Sequence, residues 1–276
     1  MPLIAMTREM GSLGMDVAKV LESELKVPLI YHEIIDHLAD KMRLRKSHVI
    51  RLLGGKANLF ERLTADKTSM SIYTDDEVLS LASKGAIMRG WGAAQLLRPV
   101  KHALCVRICA PFELRVQRMM SRLNTDDRHK VEEEIRASDE AQAAIVKRHF
   151  DKDWQDPACY DLSLNTERIS IEECAAKIAR LARNGLFAET EESRSALRAL
   201  TVQARIRAAL HADSETRRIR SVSVEAREGN QLHLVGLVDT REQRKAVDRV
   251  IGGLRDIGAI TNELRVAADV RRPMGE

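Results

Sequence analysis

The sequence predicts an α/β fold: a parallel sheet covered by helices on both faces, followed by a smaller α+β unit. Three observations carry this reading. Up to about residue 183, short apolar runs of strand length alternate with segments of helical period. The first run, Leu3 to Met6, passes through a turn rich in glycine and serine into the first helical segment. Beyond a polar, acidic stretch at 184–196 the pattern becomes a helix, two alternating strands, a second helix and a last strand.

Each element follows from its residues. From Asp16 onward Val17, Val20, Leu21 and Leu25 fall on one helical face. A long helical region is expected from His32 to about Leu63, interrupted at Gly54-Gly55. Gly85 to Met88 reads as a short buried strand ending in Gly90-Trp91-Gly92, and Ala103 to Cys109 as a third strand closed by Pro111. Helices are expected from Phe112 to about Leu123 and from His129 to about His149. Tyr160 to Leu164 is a further strand, and Ile171 to Arg183 a closing helix with Ile178, Leu181 and Ala182 inward. After the 184–196 stretch, read as a linker, comes a helix carrying Val202, Ile206 and Leu210. Two strands follow, Val222–Val224 and Leu232–Val238, turning at Glu228-Gly229-Asn230. A helix with Ala246, Val247, Val250, Ile251 and Leu254 and a strand from Ile260 to Val266 complete the second unit. Gly236, inside a strand, is read as packing under a helix. The boundaries are 1–183 for the first domain, 184–196 for the linker, 197–267 for the second domain and 268–276 for a frayed tail.

Composition narrows the function classes. A chain of 276 residues, 44% hydrophobic and 31% charged, can bury a sizeable core and is not disordered as a whole. The net charge of +4 comes from interspersed residues, and only 3% are aromatic, which argues against nucleic acid as a partner. No stretch approaches the ~20 apolar residues of a membrane helix. The opening apolar run is too short for the core of a signal peptide, so a cytoplasmic location is expected. Cys105, Cys109, Cys159 and Cys174 form no close pair of metal-ligand type and read as buried small hydrophobes. No metal-ligating cluster is expected.

The chemistry of interest lies in the first turn, Thr7-Arg8-Glu9-Met10-Gly11-Ser12-Leu13-Gly14-Met15-Asp16. Phosphate binding at a helix N-terminus needs glycines for close backbone approach, and usually adds a lysine and a Ser or Thr. The glycines, the serine and the strand-to-helix context are present; the lysine is absent.

Thr-Arg-Glu-Met-Gly-Ser-x-Gly after a first strand resembles the cytidylate-kinase-like family, which typically shows Ser-Arg-Glu-x-Gly-Ser-Gly-Gly-Arg there. Other matches keep the family's order: Tyr31-His-Glu33-Ile34-Ile35, Gly90-Trp91-Gly92-Ala93, Val106-Arg107 with Ala110-Pro111, and Arg115-x-x-Arg118. The most specific run is Asp153-Trp154-x-Asp156-Pro157-x-x-Tyr160-Asp161-Leu162-x-Leu164-Asn165-Thr166. Together they span Leu3 to about Leu181. The resemblance implies a P-loop kinase-like parallel sheet with ATP phosphates on the first loop, a monophosphate site beside it and a closing lid. Magnesium would accompany the ATP. By the same resemblance Gly11, Ser12 and Gly14 would line the phosphates, Arg8 would be the nearest fixed cation, Arg118 would help hold the ATP side, and Arg148 would be the basic residue after the lid.

The departures fall on charged positions. Gly14 stands where authentic cytidylate kinases have the loop lysine, Met15 where family members often have arginine, and Leu13 at a family glycine. Trp91 replaces the Gly-Arg-Gly arginine, Tyr31 an acidic residue, and the lid pattern Asp-Arg-x-Arg reads Asp139-Glu140-Ala141-Gln142. Phosphoryl transfer depends on positioning and charge neutralisation, and one transition-state arginine can be worth about 10³ to 10⁵ in rate. Arg122, Arg136 and Lys147 read as solvated charges, so no replacement is expected from them.

Residues 197–266 resemble a BON domain, with Leu234-x-Gly236-x-Val238 and a closing Ile260-x-Asn262-x-Leu264-x-Val266. That resemblance implies a module for a protein or small-ligand partner. The expected function is a nucleotide-binding protein, regulatory or sensing, with a degenerate kinase-like domain coupled to this module. The alternatives are an active ATP-dependent kinase of a CMP-like monophosphate or other small acceptor, and a scaffold that binds no nucleotide.

Overall fold

The computed structural model describes residues 1–47, 49, 67–90, 92–227, 231–255 and 257–267. In the first domain five parallel strands are described, in the order β2-β3-β1-β4-β5. They are β1 (Leu3–Arg8), β2 (Leu29–Ile30), β3 (Ile87–Arg89), β4 (Ala103–Cys109) and β5 (Leu162–Asn165). The helices between them are α1 (Gly14–Leu25), α2 (His32–Met42), α3 (Lys67–Ala82), α4 (Ala93–Leu97), α5 (Phe112–Leu123), α6 (Arg128–Phe150) and α7 (Ile171–Ala182).

Strand alternation divides the core into two layers. Leu3 and Ala5 point to one face with Met88 and Cys105, against Ile34, Leu38, Val78 and Leu79. Ile4 and Met6 point to the other with Ile87, Leu104 and Val106, against Val17, Leu21 and Ile178. A sheet buried on both faces requires the near-continuous apolar strands found here.

Most elements lie where periodicity put them, and β4 agrees to the residue. Three were not anticipated: β2, the short α4, and α3. Helix α3 hides its nature because Met70, Ile72, Val78 and Leu79 are buried together with Thr74, Asp76 and Glu77, leaving no one-sided apolar stripe. The buried acids are paired: Lys41 Nζ lies 2.7 Å from Asp76 and 2.5 Å from Glu77, and His37 lies 2.6 Å from Glu77. Much of the helical region expected up to Leu63, with Gly54-Gly55, lies outside the described residues. So do Trp91, the Glu228–Asn230 turn and the tail after Ala267.

The second domain comprises α8 (Glu191–Ala212), β6 (Val222–Arg227), β7 (Gln231–Val238), α9 (Arg241–Gly252), β8 (Ile260–Asn262) and β9 (Arg265–Val266). Strands β6 and β7 are antiparallel, and β8 and β9 each run parallel to β7. The last strand is therefore two short pieces, where one continuous strand was expected. Gly236 also differs from its reading. At φ 143° a Cβ there would stand 2.0 Å from the Ser221 carbonyl oxygen, so a neighbouring backbone, not a helix, excludes a side chain.

Helix α8 begins inside the stretch read as a linker. Thr190 caps it: its Oγ1 accepts from Ser193 N at 3.2 Å, while Ser193 Oγ accepts from Thr190 N at 3.0 Å. One face of α8 places Leu197 and Ala204 in the first domain's core. The same face sets Arg205 3.4 Å from Asp76 and His211 2.6 Å from Ser69. The opposite face gives Val202, Ile206 and Leu210 to the second core. No described helix is long and apolar enough to cross a membrane.

The exposed segment before α8, with Leu186 79% accessible, is where limited proteolysis is expected to cut first. Because α8 packs on α3, the two fragments are expected to co-elute in size-exclusion chromatography. First cleavage within 103–109 would overturn the proposed boundary.

Candidate functional site

The loop from Glu9 to Leu13 joins β1 to α1 at the carboxyl end of the sheet, where parallel α/β sheets collect their ligands. Gly11 adopts φ 81°, and a Cβ there would stand 2.8 Å from the Arg115 carbonyl oxygen, so position 11 needs glycine for both reasons. Leu13 is left-handed too, at φ 62°, a conformation that costs a side-chain-bearing residue roughly 1 kcal/mol or more. The surrounding contacts must hold it there.

Those contacts centre on Glu9, which is 5% exposed. Its Oε1 accepts from Arg107 Nη2 at 2.6 Å, and its Oε2 accepts from Ala110 N at 3.1 Å and lies 3.5 Å from Arg115 Nε. Arg115 in turn donates to both oxygens of Asp139, at 3.1 and 2.8 Å. From below, Thr166 Oγ1 donates to the Ser12 carbonyl at 3.0 Å. Thus β4, α5, α6 and the end of β5 all grip the loop.

Arg8, Gly11 and Gly14, three of the residues expected at the phosphates, line a cavity of about 210 Å³ over this loop. Ser12 is fully buried and its Oγ donates to the Glu9 carbonyl at 2.8 Å, so its hydroxyl is used inside the loop. Arg118 donates to Thr166 Oγ1 and to the Thr166 carbonyl, both at 2.8 Å. It braces the loop through Thr166 and is not among the residues lining the cavity. Arg148 is exposed near the end of α6, beside His149, which bonds Ser71 at 3.1 Å, and it does not line the cavity either.

Two arginines that sequence reasoning had not placed here do line it. Arg89, the last residue of β3, is 4% exposed and stacks its guanidinium 3.5 Å from the centre of the Tyr31 ring. Arg122, read as a solvated charge, lines the cavity as well and pairs with Asp16 at 2.8 Å. Arg136 stacks over Phe112 at 4.3 Å, and Lys147 pairs with Asp151, both away from the cavity. The signal for Arg89 was its place at the carboxyl end of a strand beside β1, two residues before the position where a family arginine was sought.

The electrostatics of the pair are unusual. Arg8 donates to the Glu9 carbonyl at 3.5 Å, and the Nε atoms of Arg8 and Arg89 are both buried without a hydrogen-bond partner among the described residues. Burial lowers the Arg8 pKa. Burial and then the charge of Arg8 pull Arg89 down to about 10. Two cations are thus held together at a glycine-rich loop. For magnesium the residues do not fit. Ser12 Oγ is taken by Glu9, Asp16 is paired with Arg122, and no three His, Cys, Asp or Glu side chains converge among the described residues.

A family model described as the cytidylate kinase-like family matches residues 3–168, and the BON domain model matches residues 200–268. Among curated proteins none matches the sequence. Among solved structures, an uncharacterized protein from Eubacterium ventriosum superposes with a TM-score of 0.52 at 18% identity, over 66% of this chain and 98% of its own. It shares the fold of the first domain. TT1252 from Thermus thermophilus gives a TM-score of 0.44 at 19% identity, over 67% of this chain and 99% of its own. Shikimate kinase from Acinetobacter baumannii gives 0.40 at 17%, over 66% and 92%.

Proposed function

The chain belongs to the cytidylate kinase-like family and carries a BON domain, and from that premise we propose that its first domain binds the phosphates of a nucleotide without efficient transfer. Binding would be read out through the C-terminal module, in a regulatory or sensing role. The observation that supports binding is the pair Arg8 and Arg89, buried at a glycine-rich loop with unpartnered Nε atoms. An oligophosphate would relieve their mutual repulsion and accept their donors in forked geometry. Backbone N–H groups at the start of α1 add the attraction of a helix N-terminus.

The case against efficient transfer rests on position. The loop supplies no lysine, Ser12 is turned inward, and Asp139 of the expected lid pattern is locked onto Arg115. The second reading, an ATP-dependent kinase of a CMP-like acceptor, draws support from Arg89 and Arg122, cations that the sequence comparison had not supplied. Calorimetry with ATP and magnesium tests the binding. The unmodified protein is expected to bind, and Arg89→Ala to weaken binding by about 1.5–3 kcal/mol, the scale of a hydrogen bond to a charged group. No binding by the unmodified protein would favour a scaffold.

A further inference from the structure

We infer that Arg8 has taken the place of the missing loop lysine, and that residue 14 is glycine because the Arg8 stem fills the space its side chain would need. This rests on reading the cavity as an oligophosphate site.

The steric evidence is direct. A Cβ built on Gly14 would stand 2.7 Å from Arg8 Cβ and 3.3 Å from Arg8 Cδ. Real Cβ atoms do not approach so closely, and Arg8 cannot withdraw its own Cβ without moving β1. Nor does the backbone ask for glycine at this position. The left-handed residues of the loop are Gly11 and Leu13, whereas Gly14 opens α1 with no positive φ. Glycine at position 14 therefore calls for a cause outside the backbone. The space above it supplies that cause.

A lysine at position 14 would project from the first turn of α1 over the loop. Arg8 reaches the same cavity from the last residue of β1, crossing over position 14, and no lysine is among the lining residues. Among the described residues no carboxylate forms an ion pair with the Arg8 guanidinium; Asp16, which lends it favourable charge, pairs with Arg122. Glu9, the adjacent acid, turns its carboxylate to Arg107, Ala110 N and Arg115 instead. Arg8 is therefore not a brace for the turn. A Cβ at 14 and a Cβ at 8 exclude each other, so with a side chain at 8 the cation over this loop comes from the strand.

The test is a mutant cycle on the full chain, read by calorimetry with ATP and with inorganic tripolyphosphate, each protein's fold checked by thermal melting. Arg8→Ala and Arg8→Gly are each expected to weaken both ligands by about 10- to 150-fold. Gly14→Ala in the presence of Arg8 should weaken them at least 10-fold and lower the melting temperature. Added to Arg8→Gly, which removes the Cβ standing 2.7 Å away, the same substitution should do neither. The decisive protein is Arg8→Gly with Gly14→Lys, expected to recover to within about 10-fold of the unmodified chain. Arg8→Ala binding like the unmodified protein, or the Arg8→Gly, Gly14→Lys variant folding yet binding no better than Arg8→Gly, would overturn the inference while the cavity's reading stands. If the unmodified protein bound neither ligand, the phosphate reading itself would fall.

Discussion

Replacing Glu9 with alanine is expected to destabilise the first domain by about 3–5 kcal/mol, the usual cost of removing one partner from a buried ion pair. The size follows from what is left behind. Arg107 and Arg115 have side chains only 12% and 6% exposed, and each has a buried Nε without a hydrogen bond even with Glu9 present. Without the carboxylate, Arg107 keeps its guanidinium 5.6 Å from the Trp154 ring, and Arg115 keeps Asp139. Arg107 is then left buried without a carboxylate, and Ala110 N loses its acceptor. Glu9→Gln, which keeps the shape and one acceptor oxygen, should cost less. Urea unfolding measures both. A loss below about 1 kcal/mol for Glu9→Ala would mean that water enters and replaces the carboxylate.

The second large effect concerns turnover. With ATP and CMP, the purified chain is expected to transfer phosphate at least 10³-fold more slowly than a competent enzyme working at about 1–10³ s⁻¹. Transfer of this kind is governed by fixed charge around the moving phosphoryl group, and a single transition-state arginine can be worth about 10³ or more. Glu140 and Gln142 occupy the lid positions where arginines were sought, and Arg148 is exposed away from the cavity. A panel of AMP, CMP, UMP and dCMP, followed by product chromatography, makes the measurement general. Turnover of any of them at about 1 s⁻¹ or faster would establish the kinase reading in place of the regulatory one.

Much of the architecture was legible because buried parallel strands are apolar runs and α1, α5, α7 and α9 carry apolar stripes. Helix α3 was not, because its inward face includes Asp76 and Glu77, acids made tolerable by Lys41 from another helix. A partner 35 residues away in sequence leaves no local trace. The start of α8 had a trace that passed unread: Thr190 and Ser193 are spaced as a reciprocal cap, in a variant with serine at the third position. The site divides in the same way. Gly11, Gly14 and Arg8 were found from the order of strand, glycine turn and helix. Arg89 and Arg122 come from separate strands and helices, and only the folded sheet sets them beside Arg8. Arg118 is where its helix was expected, but its direction depends on Thr166, 48 residues on.

Helix α8 belongs to two hydrophobic cores, and this changes what a domain boundary means for the chain. Melting the first domain would strip Leu197 and Ala204 of their cover, and melting the second would do the same to Val202, Ile206 and Leu210 on the same rod. The boundary in sequence is thus not a boundary in cooperativity. By mass action, a ligand that holds the folded cavity at a hundred times its dissociation constant adds about 2.7 kcal/mol to the folded state. Through a shared helix part of that gain reaches strands β6 to β9, which the ligand never touches. If the loop binds a nucleotide as proposed, the C-terminal sheet is expected to register occupancy as a change in its own rate of opening, which hydrogen exchange of β6 to β9 with and without ATP would measure.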